Sequence, residues 1–460
     1  MNAALNHHAP LLGPAVSLMA GIALMTLWPV TWAMLPLLPA SVVLTFLVSR
    51  WPLVQTFLLM ADFLLLGMLT VQRQPPPVDP QTGAEAVVVS EPVEKPKTIA
   101  VDLLLPETGQ RVHRYLWKDE QSRNLRLGDA LILNKVGEGY VPRRDWQPGG
   151  EGLQRMGRID RVRLNFLLWR HQLLERYRQT PMEDEAYAVL AAMTLGDKSA
   201  LTPALREAYS VTGASHVLAL SGLHLGIIYM LLSSLMLGRR RFWLSQVVIV
   251  LCIWAFALLT GLSPSMVRSA TMISIYAVFS AGGRGRSSVN LLAFAALVIL
   301  LVDPSSLFDV GFQLSFASVL SILLFVPLME RFWPAGHWLM RWLRGMVCVS
   351  VAAQLGAAPL IAFYFGRFST YFLLTNFVVI PVVTVILYGA LVVLVVPSLG
   401  VWLVEVVRML NKALGWIAQM PCSSIDDLHP SVIQVCLLYA MVLTLYLITS
   451  RVASAVYRSD

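Results

Sequence analysis

Long apolar runs cut by short polar joints fill residues 11–71 and nearly everything after residue 211, while the stretch between them follows a different period. Residues 11–28, 30–48 and 52–71 each approach the ~20 residues a helix needs to cross a bilayer. The joint Ser49-Arg50-Trp51 carries positive charge, which predicts a cytoplasmic turn and a third span leaving on the far side. Pro75-Pro76-Pro77 then marks a stiff linker. From 82 to 142 the period falls to two. Ile99, Val101, Leu103 and Leu105 alternate with Ala100, Asp102 and Leu104, and Val112, Arg114 and Leu116 alternate with His113, Tyr115 and Trp117. With a turn at Glu107-Thr108-Gly109, a strand over 130–136 and another over Ala86 to Val89, the pattern suits a small barrel such as an OB-fold.

From Arg143 the helical period returns, now with many arginines. Ile159, Val162, Phe166, Leu167, Leu173 and Leu174 recur among Arg155, Arg158, Arg161, Arg163, Arg170, Arg176 and Arg178, which predicts a helix lying in the membrane interface with its arginines on anionic headgroups. DNA phosphate would satisfy the same arginines. A helix over 183–195 ends at Gly196, and 199–210 links it onward. The remaining runs alternate in direction. Residues 213–237 end in Gly238-Arg239-Arg240-Arg241, 242–260 return, and 264–280 lead to the basic loop Gly283-Arg284-Gly285-Arg286, so both loops are expected in the cytoplasm and the strands outside it. Spans are expected at 291–302, 307–326, 346–365 and 432–449, with a basic interfacial helix at 330–344. A span broken by Pro381 is expected at 370–396, and a surface helix at 401–420.

Composition agrees: among 460 residues 57% are hydrophobic and only 13% charged, more apolar sequence than a soluble core could absorb. The expected fold class is therefore a polytopic α-helical membrane protein with one small extracytoplasmic β-barrel (OB-like) domain. Its expected divisions are amino-terminal transmembrane helices (1–72), the OB-like domain (82–142), interfacial helices and linker (143–210) and a transmembrane channel domain (211–460). The first run, lacking a basic leader, reads as a span and not a cleaved signal. The net charge of +8 sits largely in short loops. All four cysteines lie in or beside apolar runs, leaving no cysteine zinc site in the polar part; no metal and no cofactor are expected.

Candidate chemistry lies where polar groups enter the apolar runs. In Gly213-Ala-Ser-His-Val-Leu-Ala-Leu-Ser-Gly-Leu-His-Leu-Gly226, Ser215, Ala219, Gly222 and Gly226 make a small-residue stripe on one helix, with His224 opposite. His216 and His224 are either bonded to neighbouring backbone or line a pore. Gly261 to Ser269 breaks a span and carries Arg268, whose charge costs at least ~2.5 kcal/mol in lipid unless it meets water or a partner. Asp309 and Gln313 stack at i, i+4; Gln354 and Pro359 recur in the next span, and Asn376 precedes Pro381. Broken helices with buried amides favour a water-filled pathway, although each amide alone serves equally to join helices. Ser221 and His224, three apart, could instead form an intramembrane hydrolase pair. Tyr115, Trp117 and Tyr140 could stack bases on the barrel or fill its core.

The runs Ala192 to Asp197, Ser215 to His224, Thr260 to Arg268, Gly311 to Phe316, Gln354 to Pro359 and Asn376 to Pro381 resemble, in order and spacing, successive motifs of the ComEC-type competence channel family. The resemblance implies passage of single-stranded DNA through the inner membrane during natural transformation, without enzymatic activity in this chain. It places His216, Ser221, Gly222, His224, Arg268, Gln313, Gln354 and Asn376 in the channel core. Implied partners are single-stranded DNA, membrane lipids, an envelope DNA receptor, and a cytoplasmic ATPase or single-strand-binding protein; a homo-oligomer is compatible with it. No Gly-x-x-x-x-Gly-Lys-Ser/Thr loop occurs, so pulling by ATP would fall to the partner. Many members append a metallo-β-lactamase-like domain, whose His-x-His-x-Asp-His pattern this sequence does not contain. A small-molecule or lipid transporter is the alternative from another class.

Overall fold

The apolar runs fold as helices, because lipid offers the backbone no partners and a helix satisfies its own N–H and C=O groups. The computed structural model describes residues 9–28, 37–48, 50–72, 84–95, 97–133, 146–178, 184–236, 242–281, 287–334 and 336–456. The amino-terminal helices are α1 (Leu12–Leu27), α2 (Leu37–Leu47) and α3 (Pro52–Gln72). Glycines let α1 and α3 meet backbone to backbone. A Cβ on Gly21 would stand 2.0 Å from the Leu64 carbonyl oxygen, and one on Gly67 2.4 Å from that of Leu18.

The two-residue period builds β1 (Ala84–Val88), β2 (Val93–Glu94), β3 (Thr98–Leu104), β4 (Arg111–Trp117), β5 (Ala130–Leu133) and β6 (Trp146–Pro148), with single helical turns α4 (Glu120–Arg123) and α5 (Gly152–Arg155). All pairings are antiparallel. β1 and β2 lie along one edge of β3, β4 along the other, and β5 and β6 continue beyond β1. A barrel needs its outermost strands to pair with each other. Among the described residues β4 and β6 do not pair, so the sheet is open, and it extends past residue 142. Both of its faces are buried. Ala86, Val88, Ile99, Val101, Leu103 and Leu131 form one core; Val87, Val89 and Leu104 form another with Met156 and Leu164.

Leu164 belongs to α6 (Arg158–Arg178), which therefore covers the sheet instead of only lying on lipid. Leu167 and Leu174, expected on its lipid side, turn inward with Tyr177, whereas Ile159 is 84% exposed. Beyond it come α7 (Asp184–Leu195), α8 (Pro203–Val211), α9 (Ser215–Leu218), α10 (Gly222–Met236), α11 (Phe242–Leu259), α12 (Pro264–Ala281), α13 (Ser288–Val302), α14 (Val310–Phe332) and α15 (Trp338–Phe365). Then follow β7 (Phe368–Ser369), α16 (Phe372–Val395), α17 (Gly400–Ala418), β8 (Ser424–Ile425) and α18 (Val432–Val456). Among the described residues α3, α14, α15, α16 and α18 are long and apolar enough to cross a membrane alone. The protein is a multi-pass helical membrane protein.

Four sequence expectations change. Residues 213–237 are not one helix: α9 and α10 are separated by extended backbone at Ala219, so the predicted stripe never lies on one face. Residues 330–344 straddle the end of α14 and the start of α15 and make no separate interfacial helix. α16 runs unbroken through Pro381, whose flanking Val379 and Val383 are buried in the core; neighbouring helices tolerate the lost N–H. Finally α17 does not rest on lipid alone: one whole face is core, with Val407 and Leu414 0% exposed and packed with Leu190, Met193 and Val383. β7 pairs with β8, so the loops before α16 and after α17 share one side of the membrane.

Candidate functional site

Four of the six sequence motifs, those at 192–197, 215–224, 260–268 and 311–316, contribute contacts to a polar seam at the end of the bundle nearest the sheet. It starts with glycines in left-handed backbone. Gly196 (φ +75°) follows α7, and a Cβ there would stand 2.6 Å from Leu220 Cδ1, so both backbone and space demand glycine. Leu220 occupies the break between α9 and α10. Ser221 then caps α10, and His224, 0% exposed, reaches back: the Ser221 backbone N–H lies 3.3 Å and its Oγ 3.2 Å from His224 Nδ1. A side chain in the first turn accepting from the capping residue's N–H is half of a capping box, with imidazole in place of the usual Glu or Gln. Because Nδ1 accepts, the ring hydrogen belongs on Nε2, which is buried and has no partner among the described residues.

The first turn of α10 meets α12, where a Cβ on Gly222 would lie 3.1 Å from Ser269 Oγ. Beside Ser269, Arg268 is 5% exposed and donates from Nη1 to Asp309 Oδ1 at 2.8 Å. Asp309 also accepts the Phe312 N–H at 2.8 Å, capping α14, so one carboxylate serves both the helix dipole and the buried cation. Gly311 makes room: a Cβ there would fall 2.6 Å from Arg268 Nη2. Gln313 donates to the Leu307 carbonyl at 3.0 Å and accepts from the Tyr364 hydroxyl at 2.7 Å, tying the start of α14 to the end of α15. Deeper in, the helices touch at Gly356, where a Cβ would be 2.3 Å from the Ala317 carbonyl oxygen and where Tyr439 of α18 donates to the glycine's own carbonyl.

Of the residues singled out by sequence, Ser221, Gly222, His224, Arg268 and Gln313 thus fall along one connected series of helix ends. His216 is exposed, its Nδ1 3.0 Å from the Gly213 carbonyl. Gln354 and Asn376 are half-buried on α15 and α16, away from that series of bonds. On the sheet, Tyr115 and Trp117 are 38% and 39% exposed; Lys95 Nζ lies 4.6 Å from the Tyr115 ring centroid. Tyr140 lies outside the described residues. Sequence reasoning stacked Asp309 with Gln313 and missed its bond to Arg268, although an Asp just before an apolar run is a helix-start signal. Ser269 and Tyr364 carried no such signal.

The seam joins α10, α12, α14 and α15 through charge and amides, yet leaves buried donors and acceptors unpaired at His224 Nε2, Arg268 Nε and Ser263 Oγ among the described residues. Polar atoms at such depth ordinarily find partners in protein or water.

Comparison with known proteins bears on these residues directly. A match to the competence protein family covers residues 193–452, from the end of α7 into α18. The chain is 27% identical over 277 residues to ComE operon protein 3 of Bacillus subtilis (strain 168), covering 57% of this chain and 34% of that protein. It is 28% identical over 249 residues to competence protein ComA of Neisseria gonorrhoeae, covering 47% and 35%. An uncharacterized protein of Aquifex aeolicus (strain VF5) is 26% identical over 239 residues, covering 48% and 55%. The chain therefore spans about a third to a half of the length of these relatives. No solved structure matches it. The family match takes in more than half of the residues and the whole of the seam, and on that ground the chain belongs to the competence protein family, of the ComEC type.

Proposed function

We propose that the protein carries single-stranded DNA across the inner membrane during natural transformation, as a channel and not as an enzyme. The observation that carries this reading is the polar seam itself: Ser221, His224, Ser269, Arg268, Asp309 and Gln313 line up at successive helix ends inside an otherwise apolar bundle. A strand with one negative charge per nucleotide cannot pass through hydrocarbon and needs a wet path with cationic groups. His216, Gln354 and Asn376 extend the proposed path beyond the bonds described. In this reading the sheet is an OB-like extracytoplasmic module on which Tyr115, Trp117 and Tyr140 stack bases. An envelope DNA receptor delivers the strand, and a cytoplasmic ATPase or single-strand-binding protein draws it in.

The Ser221–His224 contact is what a serine hydrolase would begin from, but a working pair also needs a group that orients the ring from its other nitrogen. His224 Nε2 has none among the described residues. The test is transfer of marked linear DNA into a competent host deleted for the gene and complemented with wild type or Arg268→Ala. Abolished transformation on deletion, with no rescue by the variant at normal abundance, is the expected result. Unchanged transformation on deletion, with loss of export of a small solute or lipid, would favour the transporter reading.

A further inference from the structure

The link between α11 and α12 gathers more positive charge than the seam uses. Gly261 (φ +88°) and Leu262 (φ +56°) turn the chain sharply after α11, and Leu262 N–H bonds back to the Ala257 carbonyl at 2.8 Å. α6 lies across this turn. Leu167 packs on it, with Cδ2 3.5 Å from the position of a Cβ on Gly261, while Arg163 and Arg170 flank Leu167 on the same face. Arg163 Nη2 donates to the Gly261 carbonyl at 2.8 Å, and Arg170 Nη1 stands 3.6 Å from that same Cβ position.

Both arginines are half-buried, and both have a fully buried Nε with no hydrogen-bond partner among the described residues; Ser263 Oγ, two residues along the turn, is a third such donor. Neither guanidinium has a carboxylate within salt-bridge distance among the described residues. Burial first and Arg111 next pull Arg163 down to about 10, against the smaller opposing pull of Asp160 and Asp102. Two cations on one turn at the mouth of the bundle, with donors left over, offer a site for an anion. A guanidinium fork fits phosphate with two parallel bonds, and one phosphate oxygen can bridge forks.

Building on the proposed passage of DNA, we infer that Arg163, Arg170 and Ser263 form a phosphate-binding step at which a single-stranded DNA backbone passes from the sheet to the membrane bundle. Arg163 also holds the turn through Gly261, so Arg170 is the residue whose charge is free for the strand. The bound group is a phosphodiester; a lipid headgroup offers similar chemistry but would leave oligonucleotide affinity independent of Arg170.

The test uses the full chain in phosphatidylcholine nanodiscs and a dye-labelled oligo-dT, titrated across salt, for wild type, Arg170→Gln and Arg170→Lys. We expect Arg170→Gln to weaken binding at least about threefold and to flatten the slope of log Kd against log salt by about 0.7, one phosphate contact on a single strand. Arg170→Lys should recover the slope but not all of the affinity. Equal affinity and slope in wild type and Arg170→Gln, with thermal unfolding unchanged, overturns the site while leaving DNA passage standing. Loss confined to retention on phosphatidylglycerol vesicles assigns the pair to lipid and also overturns it. No oligonucleotide binding by wild type at low salt removes the parent reading as well.

Discussion

At the scale of residues, glycine decides which contacts are possible, and two of them predict opposite kinds of damage. In Gly311→Ala the new methyl would meet Arg268 Nη2, the tip of a flexible side chain, at 2.6 Å. The guanidinium moves and its bond to Asp309 is lost. Because Asp309 is 45% exposed and screened, the cost to stability is about 1 kcal/mol. Transformation should nevertheless fall as far as in Arg268→Ala, and the double variant should be no worse than either single one, a coupling that a double-mutant cycle reads directly. Gly356→Ala instead drives a methyl against the Ala317 backbone oxygen at 2.3 Å, where nothing can swing aside. Its expected cost is about 1–3 kcal/mol, seen as lower abundance and a lower unfolding temperature. His224 offers a third contrast. His224→Gln keeps an acceptor for the Ser221 N–H and should hold the unfolding midpoint near wild type, while His224→Ala loses about 1 kcal/mol of capping. Gly311 and His224 stood in sequence motifs as unusual residues in apolar runs, whereas Gly356 drew no attention between Gln354 and Pro359. The partners were not visible in the sequence, since Ser269, Tyr364 and Ala317 arrive from distant segments and are ordinary residues where they stand.

At the scale of elements, periodicity located the helices well and misjudged their continuity. A helix is broken when its backbone finds better partners elsewhere, which an apolar run does not announce. Leu220 seats against Gly196 and splits what looked like one span, while Pro381, which looked like a break, is held inside α16 by buried neighbours. The charges Glu405, Arg408 and Lys412 suggested a surface helix, but they occupy one side of α17 only; Leu403, Val407, Leu410 and Leu414 on the other side are core. The consequence is topological. α16 and α17 run antiparallel, with the turn at Pro397–Leu399 at one end and Cys422 at the other, so a crossing by α16 brings α17 back with it. Taking the basic loops as cytoplasmic, Cys422, free and exposed, should react with a membrane-impermeant maleimide in intact spheroplasts. Ser398→Cys in a Cys422→Ser background should react only after permeabilisation. Labelling of both before permeabilisation would return α17 to the membrane surface.

At the scale of the whole molecule, the sheet and the bundle are joined by α6, and that decides where the sheet's own folding unit ends. The alternating pattern stopped near residue 142 because it tracks a sheet with one buried face, whereas this sheet buries both. Val87, Val89 and Leu104 are 0%, 7% and 1% exposed, and what covers them is Met156 and Leu164, contributed from beyond the strands by a segment whose arginines had marked it as lipid-facing. A fully buried side chain of this kind is worth about 1.5–3 kcal/mol, and a small domain has only about 5–15 kcal/mol in all. Removing the cover from three of them takes most of that margin. A fragment of residues 82–142 is therefore expected to show no cooperative thermal transition by circular dichroism, and one of residues 82–168, which restores β6, α5, Met156 and Leu164, to melt in a single step. Equal cooperativity in the two would mean that the strands are stable without α6. A single step in the longer one alone would mean that the first half of α6, with Arg163, is fixed to the sheet, so that any strand bound at Arg163 is delivered to the turn after α11 at a set distance from the bundle.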